Sequence, residues 1–271
     1  MKRFLLIAVS LLGLAALGLA AQNRGPVPLR DAREMPFGNG ERLKFAVSYD
    51  WHAVRTDVAS AVLSVDTLRF GGIPSYKISM TCKTARFFDV FFKMRELFTS
   101  TVAIDGFRPL QFLRDTHEGE YFAYNLYKYD WDRNVIKADL DSKSHGKSSI
   151  EIPIEGECMY DLPSLIYMIR NMDVDALEKG AVYHVAFAID DDVYQIALPF
   201  RGRENRKVAG LGTVPCLKFG VAVLTGSLFS GDEDANIYFT DDENRLPVYF
   251  YVPLKVGAMG GRLVSSQGLK N

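Results

Sequence analysis

Residues 43–51 decide the fold, and they read Leu-Lys-Phe-Ala-Val-Ser-Tyr-Asp-Trp. Large apolar side chains stand at every second position, and Lys, Ala, Ser and Asp fill the positions between them. Because successive side chains of a β-strand point to opposite faces, this alternation predicts a strand with one buried and one solvated face. The same period returns along most of the chain and predicts a mainly β (α+β) protein.

Further short strands are predicted on the C-terminal side of this one. They span 59–65, 75–81, 98–104, 109–114, 121–129, 135–140, 149–154, 182–189, 193–198, 206–208, 214–223, 235–239, 247–251 and 262–265. Turn-forming sequences such as Gly71-Gly72 and Asp105-Gly106 fall between them. Short strands at such regular intervals indicate an antiparallel sheet folded in sequence order.

One segment follows a helical period instead. After Asp161, apolar residues recur at 162, 165, 166, 169 and 172, which places them on one face of a helix. Pro163 is tolerated in a first helical turn, and Asp161 suits the positive end of the helix dipole. We therefore expect Leu165, Ile166 and Ile169 to be buried against the sheet.

A second, shorter segment repeats the helical spacing and is rich in aromatic rings. Phe87, Val90, Phe91 and Met94 are spaced i, i+3, i+4 and i+7, and Phe88 and Phe92 add two more rings. Four rings within six residues exceed what one helix face can hide. The segment is therefore expected either to lie in the core, which is the default for apolar residues, or to line the mouth of a lipophilic pocket.

The N-terminus has the layout of a cleavable signal peptide over residues 1–21. Lys2 and Arg3 precede an apolar run over 4–19, and small residues follow. This predicts cleavage after Ala20 or Ala21 and export to the periplasm or the extracellular space. The run is short for a membrane span of about 20 residues, so no integral membrane protein is expected after cleavage. An extended leader over 22–40 and one β-rich domain over 41–271 are expected to follow.

Composition excludes one class of partner. The 271 residues carry 32 Lys plus Arg against 33 Asp plus Glu, a formal net charge of −1. A nucleic-acid binder normally shows a basic excess, so no nucleic acid is expected as a partner. The 48% apolar fraction is that of an ordinary globular protein.

Known catalytic and metal-binding motifs are missing from the sequence. There is no Gly-x-Ser-x-Gly elbow, phosphate loop, Cys-x-x-Cys or His-Glu-x-x-His. The four histidines (52, 117, 145 and 184) are far apart, and Cys82, Cys158 and Cys216 match no metal or redox spacing. We expect buried free thiols, no metal and no cofactor, although three cysteines allow one disulfide.

Acidic clusters are the sharpest polar features of the sequence. Residues 190–192, 232–234 and 241–243 are each wholly acidic and lie between predicted strands. Such residues either initiate turns or ligate a cation such as calcium, and we interpret them as turns. For 240–248 we predict a structural hairpin, with Arg245 paired to Asp241 or Asp242 and Pro247 at the start of its strand or on an edge.

Several stretches together resemble one bacterial family, domain of unknown function 3108. The matching stretches are Gly40-Glu41-Arg42-Leu43, the helix motif Asp161-Leu162-Pro163-Ser164-Leu165-Ile166-Tyr167-Met168-Ile169-Arg170, Gly202-Arg203-Glu204, and Thr240-Asp241-Asp242-Glu243-Asn244-Arg245-Leu246-Pro247-Val248. Pro163 departs from the leucine usual there. The resemblance spans about residues 38–269 and implies an exported envelope protein. The family has no established activity, so the resemblance identifies no catalytic residue. It also implies a lipoprotein-carrier-like fold, in which a curved antiparallel sheet or half-barrel wraps one or two apolar helices.

These observations favour a non-catalytic periplasmic protein whose concave sheet binds a lipophilic or acyl-containing envelope molecule. The residues expected to line that site are Phe87, Phe88, Phe91, Phe92, Leu165 and Ile169. One alternative is an enzyme that processes an envelope glycan or lipid with the carboxylates of residues 241–243. Another is a structural or adaptor protein whose concavity is filled by its own side chains.

Overall fold

A single sheet of fifteen strands dominates the computed structural model, which describes residues 27–271 except 52–53, 145, 155, 157, 224–234 and 255. The strands are β1 (Arg42–Trp51), β2 (Val54–Phe70), β3 (Ile73–Thr84), β4 (Met94–Ala103), β5 (Pro109–Glu118), β6 (Tyr121–Asp130), β7 (Val135–Ser142), β8 (Gly146–Pro153), β9 (Met159–Tyr160), β10 (Val182–Ile189), β11 (Asp192–Val208), β12 (Gly212–Val223), β13 (Ala235–Thr240), β14 (Pro247–Pro253) and β15 (Ala258–Gln267). The helix α1 spans Leu162–Arg170, and 3-10 helices span Ala32–Glu34, Phe88–Val90, Asp105–Phe107 and Val174–Ala176.

Strand order in the sheet follows chain order in two halves. The order is β8-β7-β6-β5-β4-β3-β2-β1-β15-β14-β13-β12-β11-β10-β9, so β1 and β15 form the seam between the halves. Neighbouring strands are antiparallel throughout the described sheet except for β9 and β10. The predicted antiparallel sheet folded in sequence order is therefore confirmed.

The connection between β8 and β9 requires the sheet to roll up. These two strands are the opposite ends of the sheet, yet the chain from Pro153 to Met159 joins them directly. Fifteen flat strands spaced about 4.8 Å apart would separate the ends by about 67 Å, whereas so short a connection reaches at most about 20 Å. The sheet must therefore curve until its ends approach each other.

Buried side chains of the rolled sheet form two clusters, which lie on opposite faces of β10. The first surrounds α1 with inward residues of β1–β3 and β10–β15. The second joins β4–β8 to β9 and β10, and the rings of Phe98, Phe112 and Tyr127 stack in it with centroids 6.2 and 5.3 Å apart. Met159 of the end strand β9 is fully buried in this second cluster. The two ends of the sheet thus meet through side-chain packing.

The helix after Asp161 forms as predicted, and two reciprocal hydrogen bonds between Asp161 and Ser164 cap its first turn. The Asp161 carboxylate accepts a hydrogen bond from the Ser164 amide (2.9 Å), and the Ser164 hydroxyl receives one from the Asp161 amide (2.9 Å). This is a capping box, which satisfies amides that the first helical turn leaves free. Leu165 and Ile169 are buried as expected, whereas Ile166 is half-buried.

The segment 87–94 does not form the second helix that its spacing allowed. Only the three residues Phe88–Val90 adopt a 3-10 turn, and Met94 already belongs to β4. The chain must reverse between β3 and β4 within nine residues, which leaves no length for a packed helix. This segment is therefore a turn between antiparallel strands, and the fold contains one apolar α-helix among its described elements.

Two further differences concern strands. The predicted strands 193–198 and 206–208 are one continuous strand, β11, because a register shift between Phe200 and Gly202 hides the strand period there. Gly202 has φ 105°, a backbone conformation that favours glycine. The two-residue strand β9 was not predicted, since it is too short to show any period.

The residues before β1 contribute to the core. Phe37 is fully buried, and its ring meets those of Tyr76, Phe107 and Tyr167 edge-on at centroid distances of 5.3, 6.0 and 4.8 Å. Within the described part of the chain, no helix has the length and apolar character needed to cross a bilayer. The signal-peptide prediction for 1–21 lies outside the described residues.

Candidate functional site

Exposed apolar side chains gather at one end of the rolled sheet. The most exposed large hydrophobic residues among those described are Val90 (85%), Phe91 (77%), Phe87 (73%), Val54 (63%) and Val256 (61%). Phe87, Val90 and Phe91 lie in the turn after β3, Val256 lies in the turn after β14, and Val54 is the first residue of β2. The antiparallel register brings these positions to the same end of the sheet. We call these five residues the apolar rim.

The β3–β4 turn, which carries three residues of the apolar rim, is held in one conformation by a polar network. The Asp89 carboxylate accepts two hydrogen bonds from the Arg95 guanidinium, at 2.9 and 2.6 Å, and one from the Thr84 hydroxyl. These bonds from Arg95 and Thr84 hold the pKa of Asp89 well below its usual range. The network ties the middle of the turn to the end of β3 and the start of β4.

Charge around this turn is one-sided. Residues 83–95 include Lys83, Arg86, Lys93 and Arg95 against the single acidic residue Asp89, a net charge of +3. Arg95 pairs with Asp89, whereas Lys83, Arg86 and Lys93 are exposed and form no ion pair with another described residue. The β3–β4 turn therefore combines exposed aromatic rings with neighbouring basic side chains.

The structure does not bring the six predicted ligand-binding residues together. Phe87 and Phe91 are exposed at the rim, and Phe88 and Phe92 are half-buried beneath them. Leu165 and Ile169 instead lie inside the first cluster, packed around α1. The core alternative for the aromatic segment is wrong for Phe87 and Phe91.

The two buried clusters consist of packed side chains. A cleft of about 760 Å³ lies outside them and is lined mainly by polar residues, including Arg30, Asp31, Glu34, Asp173 and Lys270. A second cleft, of about 470 Å³, lies over β6–β8 and is lined by Tyr124, Leu126, Asp139 and Lys147, among others. The first cleft is too polar for a fatty-acid pocket, and the second, whose lining is more apolar, is open to solvent rather than enclosed.

Residues from the shared motifs meet in a buried ion pair. Arg170 at the end of α1 donates to both oxygens of Glu41, at 2.6 and 2.9 Å, and both side chains are 0% exposed. Tyr167 donates a third bond to Glu41 (2.9 Å), and burial raises the pKa of its hydroxyl well above the usual range. This network fixes α1 to the start of β1.

The same arginine also holds the turn between β13 and β14. Arg170 donates to the backbone oxygens of Asn244 (2.9 Å) and Arg245 (3.0 Å). The Asp242 carboxylate accepts bonds from the amides of Asn244 and Arg245 at 3.0 and 2.8 Å, and from the Thr240 hydroxyl at 2.7 Å. The turn geometry therefore agrees with the structural interpretation of 240–248.

The predicted partners of Arg245 are wrong in detail. Its side chain donates to the backbone oxygen of Met172 (2.7 Å), just after the end of α1, rather than to a carboxylate. Asp241 is bound instead by Arg203 of β11 (2.9 Å). Pro247 opens β14, which lies between β13 and β15, so it starts a strand rather than marking an edge.

A buried carboxyl pair lies on the inner face of β4 and β5. Glu96 and Glu118 are 4% and 5% exposed, and burial raises the pKa of Glu96 to about 9. Glu96 accepts a bond from the Thr116 hydroxyl (2.6 Å), and its other oxygen has no hydrogen-bond partner among the described residues. A carboxyl that is neutral at pH 7 is able to serve as a general acid, although here packed side chains shield it from a substrate.

Sequence reasoning missed Glu96 and Glu41. Glu96 shares its parity with the inward-facing Met94 and Phe98, so the strand period itself pointed to a buried acid. Glu41 could have been noticed only because it lies in one of the family-like stretches, 40–43, while Arg170 lies in another, 161–170. Distance along the chain hides such a pair.

Cysteines and histidines form no site among the described residues. Cys82, Cys158 and Cys216 are free thiols, and burial raises the pKa of Cys82 to about 12. His117 is exposed beside Asp115, whereas His52 and His145 lie outside the described residues. No group of three or more potential ligands that would hold a metal occurs in the described part of the chain.

Comparison with known proteins supports the fold and gives no activity. Residues 44–264 match the family model described as "Protein of unknown function (DUF3108)". No curated protein matches the chain. The crystal structure of a beta-barrel-like protein of domain of unknown function DUF1849 from Brucella abortus is similar, with a TM-score of 0.53 and 12% sequence identity over 85% of this chain and 98% of that one. That likeness shows a shared barrel-like fold.

Proposed function

Because the chain belongs to the DUF3108 family, whose description assigns no activity, we propose a function from its architecture. The protein is an exported, non-catalytic, barrel-like protein that binds acyl-chain lipids of the envelope. It does so at the surface of an anionic bilayer, through the apolar rim. The proposal keeps the expected lipophilic ligand and moves its site from the concave face to the end of the sheet.

One observation carries the proposal. The five most exposed large hydrophobic side chains of the described residues all lie at one end of the molecule. At the opposite end, Ile73 and Leu211 are each 45% exposed and stand singly in their turns. Single exposed apolar residues are normal in soluble proteins, whereas a rim of them marks a surface that is covered in use.

Energetics favour a lipid surface over bulk water. Fully burying one Val or Phe side chain is worth about 1.5–3 kcal/mol, so the three rim residues of the β3–β4 turn supply about 4–9 kcal/mol before costs. The bonds between Asp89 and Arg95 already order the turn, which lowers the entropy lost on insertion. The exposed Lys83, Arg86 and Lys93 add attraction to anionic headgroups, about 1 kcal/mol each near the surface.

Vesicle binding tests the proposal directly. The chain starting at Gln22 is mixed with vesicles of phosphatidylglycerol and phosphatidylcholine, or of phosphatidylcholine alone, and bound protein is measured by sedimentation. We expect binding to the anionic vesicles that weakens with added salt. The substitutions Phe87→Ser and Phe91→Ser together should reduce that binding at least tenfold.

Matched control variants lie at the other end of the sheet. Ile73→Ser and Leu211→Ser remove exposed apolar side chains without touching the rim, and they should bind vesicles like the wild type. Equal binding by the Phe87→Ser/Phe91→Ser variant would contradict the proposal. Absence of vesicle binding by the wild type would instead favour the structural or adaptor alternative.

Export is tested separately. The mass of the protein isolated from its own cell envelope should correspond to a chain that begins at Ala21 or Gln22, as cleavage after Ala20 or Ala21 requires. A mass that retains Met1 would contradict export by a cleaved signal peptide. The vesicle experiment is unaffected by that result, because it uses the shortened chain.

A further inference from the structure

We propose that the protein pairs with a second copy of itself through the free edge of β8, in antiparallel register centred on Ser149. Strand β8 (Gly146–Pro153) is one end of the sheet and pairs only with β7 among the described strands. The ends of the sheet meet around Ile152 and Met159, whereas residues 146–149 of β8 are exposed and have no strand on their other side among the described ones. Backbone donors and acceptors in such a row pair readily with another strand.

The groups that face the free edge can be identified from the register. The Ile154 amide donates to the Asn134 oxygen of the preceding turn (2.9 Å), so even-numbered residues direct their backbone toward β7. Backbone groups alternate in direction along a strand. The amides and carbonyls of Lys147, Ser149 and Glu151 therefore point outward, and Pro153 closes the row, since it has no amide to donate.

These outward residues are complementary to themselves. When two copies of β8 run antiparallel about Ser149, Ser149 lies opposite its own counterpart and Lys147 lies opposite Glu151 of the second copy. All three positions are hydrogen-bonded pairs in that register, and each such pair exchanges two backbone bonds. The register thus offers six backbone hydrogen bonds between the copies.

Side-chain charge favours the same register. Lys147, Ser149 and Glu151 are exposed on one face of β8. Within one copy, Lys147 lies 3.6 Å from Asp141, and Glu151 lies 3.0 Å from Arg133. Pairing would set Lys147 of each copy beside Glu151 of the other. Each of the two rows would then run Asp141, Lys147, Glu151 and Arg133, with charges of alternating sign. Opposite charges directly across an antiparallel pair are stabilising.

A shift of the register by two residues would lose this match. Lys147 would then face Ser149 or Pro153 of the second copy, which removes the pairs between Lys147 and Glu151. A shift by four residues would set either Lys147 or Glu151 opposite its own counterpart. Like charges directly opposite each other are destabilising. The sequence of β8 therefore selects one antiparallel register and a second copy of this chain as its partner.

The experiment measures mass in solution against concentration. Sedimentation equilibrium of the chain starting at Gln22, up to millimolar concentration, should show reversible dimers. Ser149→Pro removes the outward amide at the centre of the register and leaves the bonds to β7, so it should give monomers at concentrations where the wild type is dimeric. Ser149→Ala loses the hydroxyl bond to Asp139 (2.7 Å) and keeps the amide, so it should dimerise like the wild type.

Charge exchange provides a second test that does not depend on how the proline variant folds. Lys147→Glu should weaken the dimer at least tenfold, and Glu151→Lys should do the same. The variant with both substitutions should recover the dimer, because opposite charges face each other again. A wild type that stays monomeric at all concentrations would overturn the proposal. So would a dimer that is insensitive to Ser149→Pro and to both charge reversals.

Discussion

Removal of the Arg170 side chain is the sharpest test of how this fold is held together. Arg170 and Glu41 are both 0% exposed and share two hydrogen bonds, of 2.6 and 2.9 Å. Arg170→Met fills much of the same volume, and among the described residues it leaves the buried Glu41 carboxylate with the Tyr167 hydroxyl alone as donor. The backbone oxygens of Asn244 and Arg245 also lose their donor.

The magnitude follows from the cost of an unpaired buried charge. Breaking a buried ion pair from one side costs about 3–5 kcal/mol. A typical domain has a total stability of about 5–15 kcal/mol, so this substitution should remove a large share of it. Replacing both partners, as Glu41→Leu/Arg170→Met, removes the unpaired charge and should cost less than the sum of the two single substitutions, by at least about 2 kcal/mol.

Urea unfolding of the chain starting at Gln22, followed by circular dichroism, measures these free energies. The exposed pair Arg262–Asp57 is a matched control, because it has the same two-bond geometry (2.6 and 2.7 Å) with half-exposed side chains. Arg262→Met should change stability by less than about 1 kcal/mol. If Arg170→Met costs no more than that control, the buried pair does not anchor α1, and the reasoning fails.

Three further predictions concern single side chains. Ile169→Ala should lower the free energy of unfolding in urea by about 2–5 kcal/mol, whereas substitution of the half-buried Ile166 by Ala should lower it clearly less. Equal losses would contradict the deeper burial of Ile169. Asp242→Asn should lower stability by about 1 kcal/mol, since the amide oxygen still accepts the turn bonds, and calorimetry should detect no calcium binding in either protein. Folded Glu96 keeps its proton up to a pKa of about 9 while the unfolded chain loses it near 4.5, so wild-type stability should fall by up to about 1.4 kcal/mol per pH unit between these values. Glu96→Gln should flatten that fall and be more stable than the wild type at about pH 8; a parallel pH profile would mean that Glu96 is already charged.

Strand positions were predictable because their signal is local. Alternation of apolar residues located fourteen of the fifteen strands, although β11 was divided in two, and the helical period located α1. The curvature of the sheet could not be predicted from local sequence. It follows from the pairing of β1 with β15 and from the short connection between β8 and β9, which no periodicity reports. Only the resemblance implied a curved sheet.

The candidate site was partly predictable, and for a physical reason. A cluster such as 87–92 looks like core to any argument from hydrophobicity, because composition does not say which apolar residues have a partner surface. Among the described residues, Phe87 and Phe91 remain 73% and 77% exposed. Val54 and Val256 were not predicted as site residues, because a single valine beside or in a turn follows no pattern. Only the strand register brings them to the same end of the sheet as the aromatic turn.

The seam between β1 and β15 gives this fold an unusual relation to its own chain ends. Arg42 pairs with Gln267 across the seam, and Gly268 lies against the backbone of Gly40. A circular permutant that joins the ends of the domain and opens between Pro153 and Met159 would therefore run through all fifteen strands in spatial order, from β9 to β15 and then from β1 to β8. Each sheet neighbour would then be the next strand along the chain, which lowers the contact order, and proteins of low contact order fold fast. The natural order instead starts in the middle of the sheet and leaves the seam, the longest-range pairing in the molecule, to join the first strand to the last.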